Sequence, residues 1–363
     1  MKLIKKLHLW LSVPFGLVIF ITCFSGAMLV FEKEITVAFY KELYTVEQVG
    51  EKALPLEQLA EIVSRTLDEG VEVTGITVFD SAEKAYQVKL SKPKHASVYV
   101  DQYTGEVKGS YKRLPFFATM FRLHRWLMDP TPNAGVFVGK TIVGISTLVF
   151  VVILITGLVV WFPRSKKMLR NRLTIKLDKG WRRFWYDLHV AGGFYALVVL
   201  LAMALTGLTW SFPWYRTVFY NVFGVDMQKP VAQNDTHNKR EGKDRADRFA
   251  SWQSAFDNVK MLRPEASKMT VAKGEVSVTV DGWGNQRASD KYKFSEQTGE
   301  IVSEQLYVDS SRANKLRGWI YSVHVGSFGG IATRIIAFLV ALFGASLPLT
   351  GYYLWIRRLY VRK

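Results

Sequence analysis

Four long apolar runs divide the chain, at residues 7–31, 139–162, 188–213 and 331–356. Each run has about 20 or more residues, the length that an α-helix needs to cross a hydrocarbon core of about 30 Å. A helix of a soluble domain rarely stays apolar on every side over that length. The pattern therefore predicts four transmembrane helices.

The second half of the chain repeats the pattern of the first half. Aligned positions are 181 apart in the first and third runs and 194 apart in the second and fourth. Both halves run in the same direction, so the sequence predicts an internal parallel repeat. The matching positions are His8 with His189, Ser25-Gly26 with Thr206-Gly207, Thr156-Gly157 with Thr350-Gly351, and His124 with His324.

The two long connections each combine a helical pattern with alternating apolar and polar positions. Apolar spacing of the helical kind predicts one helix in each connection, and the alternation predicts antiparallel strands. Ser251 stands where the second helix begins and predicts a serine cap. The predicted helices lie at 54–63 and 251–259. The predicted strands lie at 73–79, 85–90, 97–101, 275–280 and 291–294, with another short strand after the turn at Gly105.

The predicted fold class is an α-helical membrane protein with four transmembrane helices and two α+β extracytoplasmic modules. The predicted order is a transmembrane helix in 1–31, a module in 32–114, an interfacial helix with the second transmembrane helix in 115–163, a basic cytoplasmic loop in 164–187, the third transmembrane helix in 188–213, a second module in 214–317, and the fourth transmembrane helix with a basic tail in 318–363.

Most of the net charge of +17 lies in three short segments: the residues before His8, the connection 164–187, and the residues after Ile356. Short basic segments of membrane proteins face the cytoplasm, and the two long connections are close to neutral. We therefore expect both termini in the cytoplasm and both long connections on the outer side of the membrane. The positive charge then reflects topology and contact with anionic lipid, not nucleic-acid binding.

The first apolar run also has features of a signal peptide, with a basic start and small residues near its end. Its counterpart at 188–212 lies in the middle of the chain, where it has no such role, so we expect a retained span. The only cysteine, Cys23, lies within this run. An intramolecular disulfide is therefore excluded, and so is cysteine chemistry beyond that one thiol.

Four of the six histidines stand at ends of predicted membrane helices and have a counterpart in the other half. If equivalent helices face each other, His8 pairs with His189 on the cytoplasmic side and His124 pairs with His324 on the outer side. Two facing histidines suit the axial positions of a b-type haem, which then favours electron transfer because no iron position stays open. His95 and His237 have no counterpart, and we expect them to be solvated surface residues.

Other interpretations of these histidines remain open. An interfacial histidine can simply anchor a helix end, although the symmetric set of four argues against this. A bare metal ion is a weaker candidate because the spans offer no acidic partners and only the one thiol of Cys23.

Basic and small residues near the histidines add to this picture. The guanidinium groups of Arg122, Arg125, Arg182 and Arg183 suit haem propionates, because arginine binds carboxylates through two parallel hydrogen bonds. The Ser/Thr-Gly steps have a simpler interpretation, since small residues allow close packing of membrane helices.

The sequence as a whole resembles the PepSY-associated transmembrane family. The resemblance rests on Leu7-His8-Leu9-Trp10, Leu123-His124-Arg125-Trp126-Leu127, Leu188-His189-Val190-Ala191-Gly192-Gly193, Val323-His324-Val325-Gly326 and the Thr-Gly-Glu turns at Thr104 and Thr298. It implies an iron-regulated inner-membrane oxidoreductase similar to di-haem ferric-siderophore reductases. By this resemblance, His8 with His189 and His124 with His324 hold two b-type haems.

The resemblance also implies the partners. These are the lipid bilayer, a ferric siderophore or another ferric chelate reduced at the periplasmic side, and an electron donor. Some relatives carry an attached flavin reductase domain, whereas here we expect a separate donor, a quinol or a cytoplasmic flavoprotein. The alternative function is a membrane-anchored binding or regulatory protein without redox activity, because PepSY modules are associated with peptidase inhibition. A transporter is less well supported, since the spans lack acidic residues and broken-helix signals.

Overall fold

The computed structural model describes residues 1–93, 96–130, 138–226, 249–282 and 284–360. The chain forms two compact units, and each unit draws on both halves of the sequence. The helical unit comprises Met1–Glu32, Leu114–Met227 and Trp319–Lys363, and the sheet unit comprises Lys33–Arg113 and Gln228–Gly318. The predicted surface residues His95 and His237 lie outside the described residues.

Helices dominate the described part of the chain. In chain order the α-helices are α1 (Lys2–Leu29), α2 (Glu32–Phe39), α3 (Lys41–Tyr44), α4 (Leu56–Arg65), α5 (Pro115–Trp126), α6 (Val138–Trp161), α7 (Lys166–Leu173), α8 (Gly180–Asp187), α9 (Gly193–Ser211), α10 (Pro213–Val222), α11 (Trp252–Leu262), α12 (Arg312–His324) and α13 (Gly330–Tyr360). A π-helical turn at Leu188–Gly192 joins α8 to α9, and short 3₁₀ turns lie at Tyr307–Asp309 and Ser327–Gly329.

Four helical segments are long and apolar enough to cross a membrane, as predicted: Lys2–Leu29, Val138–Trp161, Gly180–Ser211 and Ser327–Tyr360. All four begin before the predicted apolar runs, the second by one residue at Val138 and the others because flanking polar residues continue the helix. The third extends furthest, since α8 and the π turn lead into α9 without a break.

The four long helices alternate around the bundle. Both α1 and α9 pack against α6 and α13. The first and third spans are therefore diagonal to each other, and so are the second and fourth. Buried apolar side chains fill the space between them, among them Ile19 of α1, Phe150 of α6, and Ala196 and Leu200 of α9. Small and large side chains alternate there, which lets the helices approach closely.

The connection 164–187, predicted as a basic loop, contains the helices α7 and α8. The side chain of Ser165 caps α7 by accepting a hydrogen bond from the backbone N–H of Met168 at 3.2 Å. Each of the two helices has only 8 residues, which is shorter than the stretch over which helical periodicity is recognised.

The sheet unit contains one antiparallel sheet of eight strands. They are β1 (Val73–Phe79), β2 (Tyr86–Leu90), β3 (Ser97–Val100), β4 (Val107–Ser110), β5 (Lys268–Ala272), β6 (Glu275–Thr279), β7 (Ser289–Phe294) and β8 (Ile301–Gln305). Their order across the sheet is β4-β3-β2-β1-β5-β6-β7-β8. The helices α4 and α11 pack on the sheet over a shared apolar core that includes Leu59, Val63, Ile76, Val259 and Val271.

The two predicted α+β modules thus share one sheet, which β1 and β5 join. A separate four-stranded module would leave β1 as an edge with unpaired backbone groups, and pairing with β5 satisfies them. The sequence predicts neither β5 nor β8. β5 is a short strand that begins with the charged residue Lys268. β8 is an exposed edge strand with the polar sequence IVSEQ.

The predicted serine cap on α11 is wrong. Ser251 occupies the cap position, but its side chain makes no cap hydrogen bond. The carboxylate of Glu57 accepts from the backbone N–H of Gln253 at 2.8 Å instead. In return, the side-chain oxygen of Gln253 accepts from the N–H of Leu56 at 3.0 Å. Each helix therefore receives its cap from the other half of the chain.

Candidate functional site

The structure places the four paired histidines at helix ends within the helical unit. His8 lies in the second turn of α1, His124 near the end of α5, and His324 at the end of α12. His189 lies in the π-helical turn before α9. Such turns are rare and are frequent at functional sites. All four imidazoles are half-buried.

His124 and His324 lie next to each other. Their ring centres are 6.0 Å apart and their planes are tilted by 50°. Two imidazoles on opposite sides of one metal ion, with metal–nitrogen distances of about 2 Å, have ring centres about 6 Å apart. Trp210 packs edge-on against His324 at a centroid distance of 5.0 Å. The ring spacing of the pair would therefore allow both imidazoles to reach one metal ion.

His8 and His189 line the same cavity, which has a volume of about 950 Å³. Its walls are mainly apolar and include the flat ring pair of Trp161 and Phe194, stacked at 3.8 Å. A volume of several hundred cubic ångströms is typical of pockets that enclose a small molecule or cofactor. The cavity is therefore large enough for a flat organic cofactor between the two histidines.

Basic side chains surround part of this cavity. They are Lys5, Arg172, Lys179, Arg182, Arg183, Arg357 and Arg358, and no acidic residue is among the described residues that line it. Such a lining attracts carboxylates or other anions. We call this space the basic cavity.

Two of the cavity arginines are held in place by other groups. Arg183 donates from Nε to the carboxylate of Asp187 at 2.8 Å, and Asp187 is 2% exposed. Arg172 donates to the carbonyl oxygen of Val160 at 2.9 Å and also to that of Trp161, at the end of α6. A cation there complements the negative end of the helix dipole. The predicted residue Arg183 thus lines the same cavity as His8 and His189.

Two of the predicted arginines, both on α5, are placed differently. Arg122 and Arg125 are exposed on α5 and are not among the residues that line the basic cavity. Arg125 stacks over the rings of Phe121 and Trp126, 5.4 and 5.3 Å from their centres. Arg122 donates to the carbonyl oxygen of Met128 at 3.3 Å. Their sequence proximity to His124 therefore does not give them the setting that Arg183 has.

Each histidine has its Nδ1 atom within hydrogen-bond distance of an oxygen on a neighbouring helix. In the first half, Nδ1 of His8 lies 3.1 Å from the carbonyl oxygen of Ile153 and 3.1 Å from Oγ1 of Thr156. Nδ1 of His124 lies 2.8 Å from the carbonyl oxygen of Thr22. These contacts occupy Nδ1 of each imidazole, so Nε2 is the ring nitrogen that remains for another partner.

The second half has the same arrangement. Nδ1 of His189 lies 2.8 Å from Oγ1 of Thr350. Nδ1 of His324 lies 2.9 Å from the carbonyl oxygen of Met203 and 3.2 Å from Oγ1 of Thr206. Within each half, the histidine at or just before the start of one long helix contacts the other long helix of that half.

The Ser/Thr-Gly steps lie directly against the histidines. A β-carbon added at each glycine would meet Cε1 of a histidine, at 2.7 Å for Gly26 and His124, 3.0 Å for Gly207 and His324, 3.3 Å for Gly157 and His8, and 3.6 Å for Gly351 and His189. The prediction that these steps serve helix packing is therefore incomplete. Their signal was present in the sequence, since they repeat at the same offsets as the rest of the spans.

The ligand count limits what can bind. Among the described residues, no group of three or more His, Cys, Asp or Glu side chains is arranged to hold a metal ion. Two histidines alone leave a bare ion short of ligands, whereas a porphyrin supplies four further nitrogens. The donor set therefore fits a haem better than a bare ion.

The match to a known protein family covers almost the entire chain. The family is described as PepSY-associated TM region, and residues 5–358 match its model. The chain belongs to this family. Together with the four apolar helices, this membership makes it a multi-pass membrane protein. A comparison with curated proteins gives no match.

Proposed function

We propose that this member of the PepSY-associated family is a haem-containing inner-membrane electron-transfer protein that reduces ferric siderophores or another ferric chelate at the periplasmic side. The observation that carries the proposal is the spacing of His124 and His324, whose ring centres lie 6.0 Å apart. This spacing suits two axial ligands of one iron, and the second pair lines a cavity of cofactor size.

The chain's own residues have distinct roles in this proposal. His8 with His189 and His124 with His324 hold one haem each. Arg183, fixed by Asp187, pairs with a haem propionate at the basic cavity. Haem iron with two histidine ligands supplies reversible one-electron transfer and no open position for oxygen.

The proposed topology follows from charge and repeat. The positive-inside rule places the termini and the basic cavity on the cytoplasmic side and the sheet unit in the periplasm. The internal parallel repeat is supported by the equivalent histidine–glycine contacts in the two halves and by the strand order, which mirrors about β1 and β5.

The path across the membrane then has two steps. His8 and the contact of His124 at Gly26 are 18 residues apart on α1, which at 1.5 Å per residue is about 27 Å. With haem bound, the His8–His189 site would be the one nearer the separate electron donor, a quinol or flavoprotein, and the His124–His324 site the one nearer the ferric chelate. One electron converts Fe³⁺ of the chelate to Fe²⁺, which its hard oxygen ligands bind more weakly.

The test is a visible spectrum of the full-length protein purified from membranes, with the haem-to-protein ratio. We expect two haems per chain, and we expect His8→Ala and His324→Ala each to lose one. His237→Ala, a histidine without a counterpart in the other half, is the control and keeps both. Anaerobic mixing of the reduced protein with a ferric hydroxamate siderophore should reoxidise the haems.

Two results would overturn the proposal. One is a wild-type protein without a Soret band, which would favour a binding or regulatory protein without redox activity. The other is a haem spectrum unchanged in both histidine variants, which would place the haem elsewhere.

A further inference from the structure

We propose that three threonines and four glycines of the Ser/Thr-Gly steps are positioning residues. The threonines hold their histidines in the tautomer needed to bind iron, and the glycines leave room for each ring. The threonines are Thr156, Thr206 and Thr350, and the glycines are Gly26, Gly157, Gly207 and Gly351. The inference rests on the proposed function, because it assigns these residues a role toward the haem ligands. Its first step is the direction of the hydrogen bonds.

A threonine hydroxyl has one hydrogen to donate, and each of these threonines already donates it within its own helix. Oγ1 of Thr156 donates to the carbonyl oxygen of Val152 at 2.8 Å. Oγ1 of Thr206 donates to that of Ala202 at 2.6 Å, and Oγ1 of Thr350 donates to that of Leu347 at 2.9 Å. Each hydroxyl therefore presents only lone pairs to its histidine.

The remaining partners of Nδ1 are backbone carbonyl oxygens, which also only accept. They are those of Ile153 for His8, Thr22 for His124 and Met203 for His324. Since every partner is an acceptor, Nδ1 carries the hydrogen. In a neutral imidazole the lone pair is then on Nε2, the atom free to bind a metal.

Metal-binding histidines in proteins almost always donate their other N–H to such a partner. The bond fixes the tautomer and the ring orientation and makes the ligating nitrogen more basic. All four histidines meet this condition through residues that contact no iron themselves. The arrangement thus prepares the ligands before any haem is bound.

Because glycine has no side chain, the four glycines leave the space that each imidazole ring occupies. A β-carbon would meet the Cε1 edge of the imidazole, and at Gly26 and Gly207 the contact would be 2.7 and 3.0 Å. Contacts that short require the histidine to move. At Gly157 and Gly351 the distances are 3.3 and 3.6 Å, so those rings move less or not at all.

The fourth step departs from the pattern in one respect. Ser25 donates to the carbonyl oxygen of Ile21 at 2.5 Å, and His124 bonds to the carbonyl oxygen of Thr22. At that step the glycine acts without the hydroxyl, which is why three hydroxyl residues and four glycines make up the set.

The test of the threonines replaces each with valine, which keeps the shape and removes the acceptor. In the full-length protein, Thr350→Val should lower the affinity of one haem by about tenfold or more and shift its midpoint potential. Thr156→Val and Thr206→Val should have smaller effects in the same direction, because the carbonyl oxygens of Ile153 and Met203 still accept from Nδ1. Thr147→Val is the control, because Thr147 lies on the same helix as Thr156 and bonds only to the carbonyl oxygen of Val143 among the described residues.

The test of the glycines is a graded series. Haem loss should be greatest in Gly26→Ala and decrease through Gly207→Ala and Gly157→Ala to Gly351→Ala. Gly144→Ala is the matched control, since its β-carbon would lie 2.7 Å from the ring of Phe212 and touches no histidine. If Gly144→Ala loses as much haem as Gly26→Ala, helix packing causes the loss and contact with the histidine does not.

A readout without haem separates this inference from the proposed function. In haem-free protein labelled with ¹⁵N-histidine, the side-chain resonances should report protonated Nδ1 and unprotonated Nε2 at His8, His189 and His324. Thr350→Val should shift His189 toward a mixture of tautomers, and Thr156→Val and Thr206→Val should shift their histidines less, since a carbonyl oxygen still accepts from Nδ1 there. The inference is overturned if wild-type protein binds two haems but the valine variants match Thr147→Val in haem affinity, midpoint potential and tautomer. The proposed function would still stand in that case.

Discussion

The imidazole ring of His324 lies 6.0 Å from that of His124, although 200 residues separate them in the chain. Each ring is bonded through Nδ1 to a carbonyl oxygen of a different long helix. The two rings are therefore held independently, by α1 on one side and α9 on the other. Their spacing is set by the helix bundle, so the place of one ring should persist when that ring is removed.

Free imidazole should restore a haem site that has lost one of these rings. In His324→Gly the acceptors at Met203 and Thr206 remain, and they can orient an imidazole molecule as they orient the side chain. We expect the haem-to-protein ratio to fall from two to one and to return toward two when millimolar imidazole is added during haem loading. N-methylimidazole blocked at the nitrogen that must donate is the control ligand, and equal rescue by it would contradict this role of the acceptors.

Asp187 should control the position of Arg183 at the basic cavity. The carboxylate is 2% exposed, and it accepts from Nε of Arg183 and from the backbone N–H of Lys176. Asp187→Asn removes the charge from a charge-assisted hydrogen bond, which costs about 2 kcal/mol when the group is buried. We expect a lower melting temperature in detergent and weaker retention of one haem.

The control for this prediction is Asp178→Asn. Asp178 pairs with Lys179 at 3.1 Å, but both side chains are largely exposed. Exposed ion pairs contribute little to stability, so the melting temperature should change by no more than a degree or two. A comparable loss of stability in both variants would show that overall charge, and not the buried contact, is responsible.

Thr77 and Thr270 should be energetically coupled across the centre of the sheet. Their buried hydroxyls form a hydrogen bond of 2.9 Å between β1 and β5. Thr77→Val or Thr270→Val alone leaves one buried hydroxyl without this partner, at a cost of about 1–3 kcal/mol, whereas the double variant removes both groups and is close to neutral. A double-mutant cycle measured by hydrogen exchange of β1 and β5 in the full-length protein tests this. Additive effects would contradict the coupling.

The sequence predicts those features that have a local or periodic signal. The four spans follow from length and hydropathy, and most strands from alternation. The relevance of His8 comes from its counterpart His189 and not from its own surroundings. In the same way, the helix patterns at 54–63 and 251–259 are local, and α4 and α11 appear close to their predicted bounds.

Features that depend on contacts between distant residues could not be predicted. The pairing of β1 with β5 joins residues about 190 positions apart, and nothing local marks it. The π turn at His189 and the reciprocal caps of Glu57 and Gln253 also depend on tertiary packing. At Gly157, helix packing and histidine contact both require a small residue, so the sequence alone does not separate them.

Tyr86 should make the sheet unit sensitive to alkaline pH. Burial against the core raises the pKa of Tyr86 to about 12, with a smaller contribution from nearby Tyr103. Below pH 10 the phenol is neutral in both the folded and the unfolded chain, so it adds no pH dependence there. As the pH rises from about 10 toward 12, only the unfolded chain ionises, and the free energy of unfolding falls. Tyr86→Phe should remove this part of the slope in hydrogen exchange of β2 and leave the stability at pH 7 nearly unchanged. An identical alkaline slope in wild type and Tyr86→Phe would show that other groups cause it.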